Sequence, residues 1–300
     1  MYFCISYERN DILSTQMVMK KSVFSIIALV GVVVICFSSV GCEEKKTTEE
    51  NQSIDSLNVD SLSMSEEMQE DAYMPKAADE LFDDFFFNFA ANKKLQKSRI
   101  QTPLPCYKNN VLSSKITKDK WAMEHFFMKD GYYTLIFDQK EQMNVVKDTT
   151  VNHVVVEKIF LEKNNIKQYY FDRLKGEWML TSINELPVDS SKNASFLNFY
   201  RRFSNDDEYQ LQSINDLVTF SAPDPDDDFN SITGMMVPEQ WPAFKPSLIP
   251  HGVIYNINYG QPYVKTNQKV FLIRGIANGL ESEMIFQNKN GVWKLIKFMS

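Results

Sequence analysis

Two segments of this chain resemble each other: Phe171-Asp172-Arg173-Leu174-Lys175-Gly176-Glu177-Trp178-Met179-Leu180 and Phe286-Gln287-Asn288-Lys289-Asn290-Gly291-Val292-Trp293-Lys294-Leu295. Phe, Gly, Trp and Leu recur at the same spacing in both segments. Each segment predicts two β-strands joined by a tight turn, because the Lys-Gly and Asn-Gly pairs supply the positive φ angles that a hairpin turn requires. A hairpin that recurs at the end of two long regions predicts a duplicated domain.

The regions that precede the two hairpins also match each other. Residues 86–89 match 196–199, residues 96–100 match 210–214, and Trp121 matches Trp241. Because these matches keep the same order in both regions, together they support duplication better than any one of them could.

Each region begins with a predicted helix and ends in predicted strands. In residues 81–89 the Leu and Phe side chains fall on one stripe of a helix. Runs rich in Val, Ile, Tyr and Phe predict strands at 132–137, 151–162 and 166–171, and again at 253–259, 269–277 and 281–286. Helices on one side of an antiparallel sheet form an α+β architecture. We therefore predict two tandem α+β units, residues 73–188 and 189–300.

The composition is that of a folded protein that does not bind nucleic acid. Of the 300 residues 44% are hydrophobic and 24% are charged, which is normal for globular chains. The formal charge of -7 and the lack of a Lys/Arg cluster argue against nucleic acid, which needs a basic face.

The amino-terminal region predicts an export signal and a lipid anchor. Two lysines follow Met19, an apolar run covers residues 22–37, and small residues lead to Cys42. This pattern resembles a bacterial lipobox, although Ser39 replaces the more usual Leu. Residues 1–41 are thus predicted to be a signal peptide with extra amino-terminal residues, translation starting at Met19 or Met17. An uncleaved transmembrane helix is the alternative, because the run approaches spanning length.

Residues 42–72 predict a lipidated Cys42 and a disordered tether. The segment is acidic and rich in Ser and Thr, so it cannot bury enough apolar surface to fold. Glu43-Glu44 resembles the acidic export signal of Bacteroidota surface lipoproteins. The tripeptides around Ser56 and Ser61 resemble O-glycosylation acceptors of the same group, the alternative being plain linker. If Cys42 carries lipid, Cys106 is the one ordinary thiol of the mature sequence, and no intramolecular disulfide is predicted.

Several short motifs carry a resemblance to a known fold. They are residues 196–200, Ile232-Thr233-Gly234, Gln240-Trp241, Ile257-Asn258-Tyr259-Gly260 and Gly291-Val292-Trp293. Residues 77–300 resemble the nuclear transport factor 2-like fold, a cone of helices wrapped by a strongly bent sheet. The whole arrangement resembles a lipoprotein family of gut Bacteroidota with two such units. The resemblance implies a fold and an outer-membrane location, periplasmic or surface-facing, and it supplies no reaction.

The sequence offers two histidines as candidate general bases. His125 follows Trp121 by four residues, which would place both on one face of a helix, and His251 lies in a predicted turn before a strand. Neither has a nucleophile or carboxylate at motif spacing. Zinc motifs, phosphate-binding glycine loops and a Gly-x-Ser-x-Gly elbow are missing from the sequence. No cofactor and no metal are therefore predicted.

An acidic loop and several aromatic residues are candidates for binding. Asp224, Asp226 and Asp228 alternate as in a calcium loop, but Phe229 and Met235 occupy the positions where an EF-hand needs Gly and Glu. A different calcium site or a solvated loop remains open. The aromatic candidates for ligand or partner contact are Trp121, Trp241, Tyr259 and Tyr263, with core packing as the alternative.

These features predict a non-catalytic cell-envelope lipoprotein that binds a partner protein, a glycan or a small apolar ligand. The first alternative is a pocket enzyme of the isomerase or dehydratase type that uses His125 or His251 as general base. A structural role in envelope assembly is the second. An enclosed pocket with an inward His or Asp would favour the enzyme, whereas a filled core with exposed aromatics would favour binding.

Overall fold

The computed structural model describes residues 79–224 and 226–300 as an α+β fold that consists mostly of strands. The helices are α1 (Phe82–Ala91), α2 (Lys93–Ser98), α3 (Ala194–Phe203), α4 (Asp207–Gln212) and α5 (Trp241–Phe244). The strands of the first part are β1 (Leu104–Lys108), β2 (Val111–Ile116), β3 (Tyr132–Phe137), β4 (His153–Phe160), β5 (Asn165–Leu174) and β6 (Glu177–Pro187). Those of the second part are β7 (Ile214–Asp224), β8 (Asp227–Met236), β9 (Val253–Asn258), β10 (Gln268–Gly275), β11 (Glu281–Lys289) and β12 (Val292–Met299).

These strands form one strongly curved sheet in which the two parts of the chain interlock. The strand order is β2-β1-β6-β5-β4-β9-β3-β10-β11-β12-β7-β8. At the centre β9 pairs antiparallel with β4, and β3 pairs antiparallel with β10. Each part thus places its third strand against the fourth strand of the other part. The local sequence patterns do not predict this exchange.

Residues 270–273 of β10 are apolar on both faces because they separate two cores. In β10, Val270 and Leu272 pack into a core with α1, whereas Phe271 and Ile273 pack into a second core with α3. Successive side chains of a strand point to opposite faces, so a strand between two cores must be apolar throughout.

Helices α1 and α3 each place a stripe of aromatic residues on the sheet. Phe82, Phe85, Phe86 and Phe89 of α1 are fully or almost fully buried. Phe196, Phe199, Tyr200 and Phe203 do the same from α3. Rings on α1 and α3 contact Phe171 and Phe286, respectively, at centroid distances of 5.2–6.1 Å and 5.2–5.4 Å. The space between helix and sheet is therefore filled by aromatic rings in both parts.

The two predicted hairpins are confirmed. The turn between β5 and β6 has φ values of 54° at Lys175 and 88° at Gly176, and the turn between β11 and β12 has 55° at Asn290 and 86° at Gly291. Positive φ at both central residues is typical of the type I′ turn, whose twist suits paired strands.

Other local predictions had mixed outcomes. The predicted strand at 132–137 coincides with β3, and the other five predicted strands overlap β4, β5, β9, β10 and β11. The expectation that Trp121 and His125 share a helical face is wrong, because residues 121–130 form coil and turns. The unit boundary at residues 188 and 189 stays a prediction.

Candidate functional site

A cavity of about 470 Å³ lies on the face of β4 and β5 that points away from α1. Val154 and Val156 pack into the core with α1, so Val155 and Glu157 point to the other side of β4 and line the cavity. Most of its lining side chains are polar. The lining residues are Asn110, Ile136, Asp138, His153, Val155, Glu157, Gln168, Tyr170, Leu186, Ser190, Ser191, Lys192, Asn193, Asn258, Gly260, Gln261 and Tyr263.

Glu157 is a buried carboxyl group in this lining, with 4% of its surface exposed. Gln168 Nε2 donates to its Oε1 at 2.9 Å, and Asn256 Nδ2 donates to its Oε2 at 2.8 Å. Burial raises the pKa of Glu157, and the two amide hydrogen bonds only partly oppose that rise. The carboxyl group is thus held in a fixed position by neutral donors.

The surrounding amides are oriented by further hydrogen bonds. Tyr170 Oη donates to Gln168 Oε1 at 2.7 Å, which turns the amide nitrogen of Gln168 towards Glu157. Two buried acceptors in the described region have no donor: Asn256 Oδ1 and Gln261 Oε1. One acceptor next to Glu157 and one in the lining thus lack a donor.

A buried ion pair closes another side of the cavity. Lys269 Nζ lies 2.5 Å from Asp138 Oδ1 and donates to Asn193 Oδ1 at 2.6 Å. The second carboxylate oxygen of Asp138 accepts from the backbone N–H of Val264 at 2.9 Å. These contacts tie β3, β10 and the segment before α3 together, so the wall of the cavity is built from both parts of the chain.

His153 lies in the cavity lining and has a carboxylate partner. Its Nδ1 is 2.6 Å from Asp172 Oδ1, and Thr181 Oγ1 donates to Asp172 Oδ2 at 2.5 Å. With Nδ1 held by a carboxylate, Nε2 is the ring nitrogen available for proton transfer. His153 was not a candidate in the sequence analysis.

The two histidines predicted from the sequence lie elsewhere. His125 and His251 are exposed, and neither belongs to the cavity lining. His251 Nδ1 has the backbone carbonyl of Ile249 as its neighbour, at 3.3 Å.

Three of the four aromatic candidates are core residues. Trp121 Nε1 donates to Gln96 Oε1 at 3.0 Å, and Trp241 Nε1 donates to Gln210 Oε1 at 3.1 Å, both inside the protein. Tyr259 is buried, and its hydroxyl group donates to Asp83 of α1. Tyr263 is different, because it is 54% exposed and lines the cavity.

The acidic candidates lie at the hairpin between β7 and β8. Asp224 Oδ1 accepts from the backbone N–H of Asp226 at 3.0 Å, which is an Asx-type turn, and Asp228 lies in β8. Within the described residues no group of three or more His, Cys, Asp or Glu side chains is placed to hold a metal ion.

Three predicted modification sites, Cys42, Ser56 and Ser61, lie outside the described residues. In the part of the chain that the structure describes, no helix is long and apolar enough to cross a membrane.

The sequence carried one overlooked signal for the cavity. Glu157 alternates with Val155 and Ile159, so its carboxyl group falls on an apolar face of the predicted strand, whereas the next residue, Lys158, falls on the other face. Its partners Gln168 and Asn256 carried no comparable signal. Asn256 belongs to β9, a strand of the other part, and the sequence did not predict that β9 lies beside β4.

Comparisons with known proteins agree on the fold. The model of the family described as Domain of unknown function (DUF4348) matches residues 60–300. A crystal structure of an NTF2-like (nuclear transport factor 2-like) protein from Bacteroides fragilis is 41% identical, with a TM-score of 0.69, and the match covers 76% of this chain and 98% of that one. No curated protein matches the chain. The α+β fold with its curved sheet is therefore NTF2-like, and the chain belongs to the DUF4348 domain family.

Proposed function

We propose that this protein is a non-catalytic envelope lipoprotein whose folded region binds a small polar molecule in the cavity over β4 and β5. The observation that carries the proposal is the fixed carboxyl group of Glu157 inside a space of about 470 Å³. Ligand sites combine a concave space with a few oriented polar groups, and this volume suits a small molecule. The polar lining favours a polar ligand over an apolar one.

Native mass spectrometry tests this function even though the ligand is unidentified. The full chain is incubated with a small-molecule extract of the cell envelope, and bound mass is read from the intact protein. Ser190 is an exposed residue of the lining, so Ser190→Trp should obstruct the cavity and abolish the adduct. Lys118 is exposed and outside the lining, so Lys118→Trp is the matched control and should keep it. An adduct that survives Ser190→Trp, or no adduct at all, would contradict the proposal.

The second candidate is a pocket enzyme, and His153 favours it. A histidine whose Nδ1 is bonded to a carboxylate is oriented as a general base, and this one lies in the cavity lining. It would take the role that the sequence analysis gave to His125 or His251. Turnover of the extracted ligand that is lost in both His153→Ala and Asp172→Asn would establish the enzyme, and an unchanged ligand would exclude it.

The membrane attachment follows from the sequence pattern that ends at Cys42. Lipid on this residue would anchor the folded region to the outer membrane through the acidic tether, with Ser56 and Ser61 as glycan acceptors. Cys42→Ala should move the protein from the membrane fraction to the soluble fraction. A Cys42→Ala protein that still requires detergent would contradict the anchor.

We also infer that the two parts of the chain descend from one duplicated unit. The strand order supports this, because β1–β6 and β7–β12 take equivalent positions from the two edges of the sheet. The paired Trp–Gln hydrogen bonds and the paired type I′ turns support it as well. Superposition of residues 82–187 on 194–299 tests the inference. Unrelated chain paths in the two parts would contradict a duplication.

A further inference from the structure

Glu157 differs from Asp138, Asp172 and Glu283 in having no basic side chain as a partner. Asp138 pairs with Lys269 at 2.5 Å, and Asp172 has His153 at 2.6 Å. Glu283, which is also buried, pairs with Lys140 at 3.1 Å. Among the described residues none forms an ion pair with Glu157, whose two donors are neutral amides.

An uncompensated carboxylate in a buried position costs free energy. Neutral hydrogen bonds offset only part of the desolvation of a buried charge, and a nearby positive charge offsets much more. Lys192 also lines the cavity, but it is exposed and makes no ion pair with Glu157. Among the described residues, Glu157 thus has no side-chain cation that would stabilise its ionised form.

Two unused acceptors, one beside Glu157 and one elsewhere in the lining, indicate the kind of group that would fit. Asn256 is 1% exposed and holds Glu157 through its Nδ2, so its orphan Oδ1 lies within a few ångströms of the carboxylate. Gln261 Oε1, also without a donor, belongs to a lining residue. A primary ammonium group offers three N–H donors and one positive charge, and no acceptor.

The aromatic lining is compatible with the same group. Tyr170 and Tyr263 both border the cavity, and tyrosine faces attract cations. A neutral hydroxyl-rich ligand would satisfy the acceptors but would bring no positive charge to Glu157.

We propose that the ligand of this cavity carries a primary amine, bound as an ammonium group against Glu157 and the neighbouring amide oxygen of Asn256. The proposal rests on the proposed binding function and narrows it to cationic small molecules, such as amino sugars or aliphatic diamines.

Paired probes that differ in the amine test this inference. D-glucosamine is compared with D-glucose, and cadaverine with 1,5-pentanediol, by isothermal titration calorimetry on the full chain at pH 7. The amines should bind and the neutral partners should bind much more weakly. Glu157→Gln should weaken amine binding by about thirtyfold or more, because it removes one partner of a buried charge pair. Glu185→Gln removes a carboxylate from the opposite face of β6 and should leave binding unchanged.

The outcomes separate this inference from the broader function. Equal binding of amine and neutral probe, or full amine affinity in Glu157→Gln with a native circular dichroism spectrum, overturns the ammonium assignment and leaves the binding function intact. If no probe binds, tandem mass spectrometry of the adduct from the envelope extract decides: a primary amine in the ligand supports the assignment, and its lack refutes it. If the extract gives no adduct either, both proposals fail.

Discussion

Replacing Phe286 with Ala should destabilise both parts of the chain by the same amount. The Phe286 ring is fully buried, with centroids of Phe196, Phe199 and Phe203 at 5.4, 5.4 and 5.2 Å. Removing a buried Phe ring costs about 3–5 kcal/mol of unfolding free energy. Because β3 pairs with β10 and β9 with β4, loss of the second part also removes strand partners from the first. The whole sheet should therefore unfold in one transition.

Two measurements test this coupling: the midpoint of urea unfolding, and the hydrogen-exchange protection of individual peptides. With an m-value of about 3 kcal/mol/M, a loss of about 4 kcal/mol lowers the midpoint by about 1.3 M. Peptides from β5 and from β11 should lose the same protection free energy. Val292→Ala is the control, because this side chain is 57% exposed and should cost less than about 0.5 kcal/mol. Two separate transitions, or a protection loss confined to the second part, would refute the reasoning.

Three further predictions concern buried polar groups. Glu157→Gln should stabilise the protein by a gain that grows as the pH rises from 4.5 to the folded-state pKa of Glu157 and is constant above it, because burial raises that pKa and so penalises the charged wild-type form. Equilibrium unfolding at several pH values checks this, and a gain independent of pH would contradict it. Gln96→Ala should cost about 3 kcal/mol and Gln210→Ala about 1–2 kcal/mol, since three described hydrogen bonds are lost at the first and one at the second; equal costs in urea unfolding would contradict this. Asp138→Ala should cost about 3–5 kcal/mol of unfolding free energy, because it leaves the Lys269 charge unpaired. The double variant Asp138→Leu, Lys269→Met should recover most of the loss, which is measured as Tm. A double variant no more stable than Asp138→Ala would contradict this.

Local patterns were enough to predict most of the elements. The Phe stripe of residues 81–89 predicted α1, and the Lys175-Gly176 and Asn290-Gly291 pairs predicted their turns, because both signals depend on neighbours in the sequence. These patterns could not predict that β3 and β9 each pair with a strand of the other part. Alternation shows which residues share a face of a strand, but it does not show which strand lies beside it.

The candidate site was harder to predict for the same reason. Tyr263 was identified because it is an aromatic residue in a turn, and the structure places it in the cavity lining. His153 and Asp172 form a pair only because β4 lies against β5, and Asn256 reaches Glu157 from a strand of the other part. Trp121 and Trp241 were candidates because of their residue type, but both are buried and their indole N–H groups donate hydrogen bonds inside the core.

The exchanged strands also govern the order of events during synthesis. β3 emerges from the ribosome at residues 132–137, but its antiparallel partner β10 begins at residue 268. At roughly 5–20 residues per second, the interval lasts on the order of ten seconds. During that time β3 and β4 have free hydrogen-bonding edges that favour pairing with other chains. The first part of the protein therefore lacks these strand partners until the second part has been made.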